Sequence, residues 1–488
     1  SLLFVPPTER RRNGDLYDIT MLNENGLTFK DFEVKTFKMI CKLGQEYTRD
    51  FLERYDTYLM ENRDKEAYRN KGKKKTTVKT VYGEVEYERR IYQVTREDGL
   101  SEFVFLLDEQ LEISGAGLIS MNMAEQMVSN ITETSYRETA EKITEMTGQS
   151  ISPMGVWNVI QSLGEKVCED EHKLVEAHKA GQIRGEKEAP VLFEETDGVY
   201  VRLQREKQNK GEIKVGIAYD GWKKSGKDRY ALDSKVVVAG FSSSKEFQEY
   251  REAAIAETYN LDETEVRIMN ADGAEWVKNI CDAETVFQLD PFHRNKAIKE
   301  NIPYPKCISA IHEMLDAREL DRLFDYLEIY RNSLDDDDEI EKADRLMTYF
   351  RNNREGLIPY TQKGLNLPEN KDGLIYRNMG TMESHVWSII AKRMKHNHTS
   401  WSIKGGNNLA KILAKKCSGR LNEAASKLKM PVFEQAVTDR IEKEILMAGQ
   451  IKKKAGKGYE YPVKGSLIYL YESVAGKAHQ AWEYYAGL

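Results

Sequence analysis

Across residues 28–70 apolar side chains recur every three or four positions with few breakers between them, which predicts a long helix. The period then drops to two. In 76–92 two runs of β-branched and aromatic residues flank Tyr82-Gly83 and predict a β-hairpin that begins inside a lysine-rich stretch. Residues 119–164 return to helical spacing. Ser135-x-x-Glu138 fits a capping box that opens a helix running to about Thr147, and Gly148 suits the left-handed residue that ends it. Ser152-Pro153 fits an N-cap followed by proline at the first helical position. Val156, Trp157, Ile160 and Leu163 form the apolar stripe of that second helix, which assigns Trp157 to a core and Asn158 and Gln161 to the exposed face. Two capped helices joined by a tight glycine turn are the geometry that places a second helix in a major groove. Gly164 to Gly181 is expected as a charged connector helix.

At Pro190 the pattern changes again. Strands are expected at 191–204, 214–220, 235–241, 266–271 and 285–289, with helices at 244–259 and 275–283. Three strands followed by helix, strand, helix and strand describe a mixed α/β sheet with helical crossovers, in the order of the ribonuclease-H-like fold. Residues 294–370 are expected to be helical, with a further helix at 375–395 and a basic, mostly helical tail over 400–488. No repeat of 20–50 residues is visible. The expected class is therefore multidomain α+β. It comprises an N-terminal helical and hairpin region (1–118), a helix–turn–helix region with its connector (119–180), an α/β domain (190–293 with 371–400), an all-helical insertion (294–370) and a basic C-terminal region (401–488).

Composition supports soluble cores. The chain has 488 residues, 40% hydrophobic and 31% charged, with a mean hydropathy of -0.63. No apolar run approaches the roughly 18 residues that a membrane helix needs. Leu2-Leu3-Phe4-Val5 before Pro6-Pro7 and Arg10-Arg11-Arg12 is too short and wrongly flanked for a signal peptide. Five cysteines, with no Cys-x-x-Cys, suit a reducing compartment and argue against a disulfide framework or a structural zinc. A cytoplasmic protein is expected.

Net charge is -7, which taken whole opposes a polyanionic partner, but the charge is sorted along the chain. Residues 69–80 carry six Lys/Arg and no acid, 391–420 carry eight and no acid, and 335–341 carry six acids. Local basic runs decide phosphate binding more than the sum does. Lys71, Lys73, Lys74, Lys75 and Lys79 in the first run are expected to neutralise phosphates, as are Lys392, Arg393 and Lys395 in the second. His396, His398 and Trp401 stand beside them. Asn158 and Gln161 are expected to read base edges. Each basic run alone equally describes a solvated face.

Three acids suggest chemistry. Asp197 interrupts the apolar first strand, with Glu195 on its face and Glu194 on the other. Asp272 ends the fourth strand in Asn270-Ala271-Asp272-Gly273, where Asp-Gly is also an ordinary turn signal. Glu383 lies in the first turn of a helix that Thr381 is placed to cap, with Val386, Trp387, Ile390 and Met394 on its apolar side. The helix dipole favours an acid there in any case. Converging, the three would suit two divalent ions about 4 Å apart, held by oxygen ligands. Asp290-Pro291-Phe292-His293 closes the fifth strand.

The runs EETDGVYV, NADGAEWV, QLDPFHRNKAI and MGTMESHVWSIIAKRMK, with TVKTVYGEVEYERRIY and ITEMTGQSISPMGVWNVIQSLGEKVCE upstream, resemble the DDE transposases of bacterial insertion sequences, of the ISLre, Mutator-like type. The resemblance covers residue 28 to the C-terminus. It implies Asp197, Asp272 and Glu383 as catalytic, metal-holding acids with Mg²⁺ or Mn²⁺, two ions in all. It also implies Asp290 and His293 as auxiliary residues and a helical insertion in the 111 residues between Asp272 and Glu383. The implied partners are double-stranded DNA, as element ends and target, and further copies of the chain on that DNA, in the bacterial cytoplasm and nucleoid. Binding of terminal inverted repeats, strand cleavage and 3′-hydroxyl transfer would follow. The competing readings are a helix–turn–helix DNA-binding protein with an inert α/β domain, and a metal-dependent nuclease that does not transpose.

Overall fold

The computed structural model describes residues 28–95, 101–111, 119–278, 285–370, 373–396 and 399–426. Contacts divide the chain into two units, the larger comprising residues up to Val94 together with Val104–Val432. The fold below is that of the described residues in this larger unit.

Helix α1 (Phe29–Asn62) opens with a Thr28/Asp31 capping box. It lies on the antiparallel hairpin of β1 (Arg69–Thr80) and β2 (Gly83–Thr95). Leu52 of α1 packs with Val78, Val85 and Tyr87, and Asp56 accepts from the Arg90 backbone N–H at 2.9 Å. Gly83 turns the hairpin at φ +140, where a Cβ would strike the Gln45 side chain. The hairpin is longer than the alternation suggested. The lysine run is paired strand, with Lys73 opposite Arg90 and Lys74 opposite Arg89.

Helices α2 (Met121–Ile131) and α3 (Tyr136–Thr147) precede α4 (Pro153–Lys179). The caps fall where their residues demand them. Ser135 and Glu138 close the capping box, Gly148 sits at φ 67, and Ser152 accepts from the Gly155 N–H ahead of Pro153. The expected break at Gly164 is absent, and α4 is one helix of 27 residues. Gly164 is a packing residue, because a Cβ there would stand 2.3 Å from Cβ of Asn408 in the crossing helix α11 (Ile403–Cys417).

The sheet contains β3 (Val191–Arg202), β4 (Lys210–Tyr219), β5 (Val236–Gly240), β6 (Val266–Ala271) and β7 (Thr285–Leu289). Its order is β7-β6-β3-β4-β5. Strands β3, β4 and β5 pair antiparallel, and β3, β6 and β7 pair parallel. The odd-numbered residues of β3 face a core shared with α4 and α11. The even-numbered face meets α5 (Ser244–Thr258), where Phe247 and Ala254 pack on Val238. There Glu194 is held by Arg251 and by Arg267, Nε to Oε1 2.6 Å. That one core spans α2, α4, β3 and α11 shows the helix–turn–helix to be built into the sheet domain.

After β7 come α6 (Pro291–Asn301), α7 (Pro305–Asp316), α8 (Leu320–Asn332) and α9 (Asp337–Asn352). They share a core in which Leu289 of β7 meets Ile298, Ile311, Leu327 and Phe350. Within 294–370 the described residues contain no strand. The acid run is mostly exposed and opens α9, whose N-cap is Asp336, where the helix dipole favours negative charge. Among the described residues no helix is long and apolar enough to cross a membrane.

Candidate active site

Parallel register sets Thr196 of β3 beside Ala271 of β6, so the next residues, Asp197 and Asp272, are neighbours on one sheet face. Burial pushes the Asp272 carboxyl up, and the Asp197 charge pushes it further. A hydrogen bond from the Ala274 N–H, 2.9 Å from Oδ1, opposes both. Asp197 accepts from the Gly198 N–H at 2.7 Å. His293, in the first turn of α6, places Nε2 3.6 Å from Asp197 Oδ2. The Asp197 carboxylate holds this imidazole above its ordinary value against the effect of burial, with smaller help from Asp290 and Asp272. Two acids and one histidine are thus assembled.

This pairing has a pH signature. The folded chain binds the His293 proton more tightly than the unfolded chain does. The stabilisation is therefore full below the unfolded value of about 6.5 and is lost as pH rises through the raised folded value. Without divalent ions, His293→Gln is expected to lower the denaturant midpoint at about pH 5.5 and barely change it at about pH 9. Equal losses at both would show that the ring acts by packing alone.

Glu383 arrives differently. It is exposed in the short helix α10 (Met382–Val386), which continues as a π-helical turn over Trp387–Ala391. Thr381 does not cap this helix with its side chain. Its Oγ1 donates instead to Glu195 Oε1 at 2.6 Å, while its N–H (3.1 Å) and that of Gly380 (3.3 Å) donate to Oε2. Glu195 also accepts from Tyr219 Oη at 2.8 Å and Asn270 Nδ2 at 2.9 Å. Buried completely, its carboxyl is pushed up by desolvation, which these bonds oppose. Asn270 donates in turn to Asp290 Oδ2 at 2.8 Å, and Asp290 Oδ1 caps α6 through the Phe292 and His293 N–H groups. Asp290 is buried and holds the histidine helix in place. Glu195, two residues before Asp197 on the same face, therefore ties α10 to the strand of Asp197. Alternation had placed it there, and a fully buried acid among Val191, Phe193 and Val199 was its signal.

Carboxylate oxygens beside a histidine suit a hard divalent cation. The like-charge strain on Asp272 is what such a cation would relieve. The gathering is nevertheless a pair and not a triad. Among the described residues no group of three or more His, Cys, Asp or Glu side chains is placed to hold a metal ion.

Several expected DNA contacts are elsewhere. Gln161 is buried, not displayed, and its Oε1 accepts from Asn408 Nδ2 at 2.8 Å. Trp157 is 40% exposed. The buried stripe of α4 runs through Val156, Val159, Ile160 and Leu163, because α11 crosses on that side. Asn158 remains exposed. Arg393 is buried, donating to the Ile131 carbonyl at 2.8 Å beneath the Trp401 and Tyr136 rings. Lys392 pairs with Glu133 at 2.8 Å, and Lys416 pairs with the same carboxylate, whose pKa they draw down to about 2. Lys404 pairs with Glu165 at 2.7 Å and buried Lys411 with Glu171 at 2.6 Å. Of these pairs, Lys411–Glu171 lies in the core, whereas those of Lys392, Lys404 and Lys416 are at partly or largely exposed sites, where such pairs are worth little. Lys395 and His396 are exposed, while His398 lies outside the described residues, as do 427–488 of the expected tail. On β1, Lys71, Lys73 and Lys75 are exposed and Lys74 half-buried, and Lys79 donates to the Ser150 carbonyl at 2.7 Å.

The arrangement defines a mixed α+β protein with one carboxylate within a central strand, a second just past the end of its parallel neighbour, and a histidine in the first turn of a following helix. Residues 22–429 match the uncharacterised protein family UPF0236, and the chain belongs to that family. A UPF0236 protein of Caldanaerobacter subterraneus subsp. tengcongensis, whose name joins eleven locus tags, is 27% identical over 413 residues, covering 80% of this chain and 78% of its own. A second UPF0236 protein from that strain is 26% identical over 398 residues, covering 80% and 78%. A UPF0236 protein in the vanSb 3′ region of Streptococcus gallolyticus is 22% identical over 419 residues, covering 82% and 87%.

Proposed function

We propose that this chain is a metal-dependent DNA transposase of the DDE type, with β3–β7 as a ribonuclease-H-like catalytic sheet. The observation that carries the reading is the placement of Asp197, within β3, beside Asp272, just past the end of the parallel strand β6, with Glu195 fastening the Glu383 helix to the strand of Asp197. The sheet order, three antiparallel strands followed by two parallel ones, supports it, as do the sequence runs around all three acids. A relative whose single name spans eleven loci of one strain has the copy number of a DNA element that multiplies.

Under this reading Asp197 and Asp272 would hold divalent cations, with Glu383 as the third acid of the set. Bound cations supply a nucleophilic water and charge stabilisation for in-line phosphodiester displacement. The chain's own groups orient. Asp197 and Asp272 would hold the cations that meet the scissile phosphate, His293 holds Asp197, and Glu195 holds the start of α10. The resulting 3′-hydroxyl then attacks target DNA. The test is incubation with a duplex carrying the ends that flank the gene, with Mg²⁺ or Mn²⁺. A nick leaving a 3′-hydroxyl, followed by joined product, is expected. Binding of that duplex without any cleavage in either metal would leave the DNA-binding reading in its place.

DNA is proposed to lie along β1. Lys73 and Lys75 pair with Glu88 (3.9 Å) and Glu86 (3.4 Å), but at exposed sites, where such pairs are worth little and yield to phosphates. Replacing Lys71, Lys73 and Lys75 with Ala is expected to weaken binding to all sequences and to flatten the log K against log salt slope by roughly 2–3. An unchanged slope would move the DNA off this strand.

A further inference from the structure

Helix α1 has two faces. One carries Gln45, Leu52 and Asp56 onto the hairpin. The other presents Phe29, Ile40, Leu43, Phe51 and Tyr58, which are 79%, 58%, 56%, 51% and 54% exposed. Their separations of 11, 3, 8 and 7 residues fall near whole turns, so they form one stripe. Such a stripe, interrupted on the same side by Glu33, Thr36 and Arg54, on a helix about 51 Å long calls for a partner, because helices of this kind are stabilised by burial of the apolar face.

The charge along α1 indicates which partner. Residues 29–45 hold four lysines against two acids, and residues 46–62 hold two arginines against five acids. The first half is positive and the second negative. Two parallel copies would set like against like. Two antiparallel copies set each positive half against a negative one and oppose the helix dipoles favourably. With the helix centre as the two-fold axis, Ile40 of one copy meets Phe51 of the other. The five side chains, each about half exposed and with about 150–250 Å² at most to bury, supply on the order of 1,000 Å² per pair. With flanking polar surface this reaches the about 1,200–2,000 Å² of a stable interface. We propose that α1 is a homodimerisation helix whose exposed stripe packs antiparallel against the same stripe of a second copy.

The test uses the full chain without DNA or metal, so its outcome is independent of any cleavage activity. Sedimentation velocity at micromolar concentration is expected to show a dimer. Ile40→Glu with Phe51→Glu should give monomer, with dimer affinity down by about 100-fold or more and unchanged circular dichroism. A monomeric wild type would overturn the proposal. A dimer that survives the double substitution would overturn it equally. Orientation is read in a Cys41→Ser background. Ile40→Cys together with Phe51→Cys should cross-link between copies on mild oxidation, and neither alone should. Cross-linking by Ile40→Cys alone would make the pair parallel and refute the antiparallel arrangement.

Discussion

Asp197→Asn and Asp272→Asn are each expected to reduce DNA cleavage by on the order of 10³-fold, while duplex affinity changes little. Each removes a charge from the pair that would carry the cations, and metal-borne stabilisation of a developing oxyanion amounts to several kcal/mol. The fold should tolerate both changes. The Asp197 side chain is 14% exposed, and its backbone contact, with the Gly198 N–H, is one that an amide oxygen can keep. The Asp272 bond to Ala274 can be kept in the same way, and neutralising Asp272 removes the like-charge strain from Asp197. At about pH 9, above the range in which the His293–Asp197 pairing stabilises the fold, both variants are therefore expected to be inactive without being less stable. A nicking assay with a parallel thermal melt separates the two properties. Cleavage at the wild-type rate in Asp197→Asn would remove this residue, and with it the DDE reading, from consideration.

Glu195→Ala is expected to have the opposite profile, with a large loss of stability. Its carboxylate receives five hydrogen bonds, from Tyr219, Asn270, the Thr381 hydroxyl and the N–H groups of Gly380 and Thr381. Deletion leaves the buried Tyr219 hydroxyl without an acceptor, removes one of the two acceptors of the Asn270 amide, and opens a cavity among Val191, Phe193 and Val199. Stranding buried donors costs about 1–3 kcal/mol each, and a broken network of this kind about 3–5 kcal/mol in all. The loss should be accompanied by faster amide exchange at 380–386, because α10 is then no longer tied to β3. An unaltered denaturation midpoint, or exchange confined to other elements, would show that the helix is held elsewhere.

These expectations draw unequally on sequence and fold. Caps and turns at Ser135, Glu138, Gly148 and Ser152-Pro153 were legible because each is satisfied within a few residues. The five strands were legible because their apolar runs are bounded by turns. Which cations of 391–420 face acids was not legible, since those acids lie at Glu133, Glu165, Glu171 and Glu257, more than a hundred residues away in sequence. Gln161 and Trp157 exchanged roles for a similar reason. A helix pattern of mixed residues leaves the buried face open by one position, and the crossing of α11 at Gly164 decided it.

The sequence by itself determined the succession of helices and strands, the carboxylates that interrupt apolar strands, and the sorting of charge into runs, because these depend on neighbours within a turn or a strand. Tertiary structure alone decided that Asp197 and Asp272 stand together with His293, that Glu195 and not a capping side chain anchors the Glu383 helix, and that Arg393 and Lys411 of the basic run after residue 391 are buried. Burial and Coulomb interaction act between side chains brought close in space, and that proximity is set by the packing of the sheet against α4 and α11.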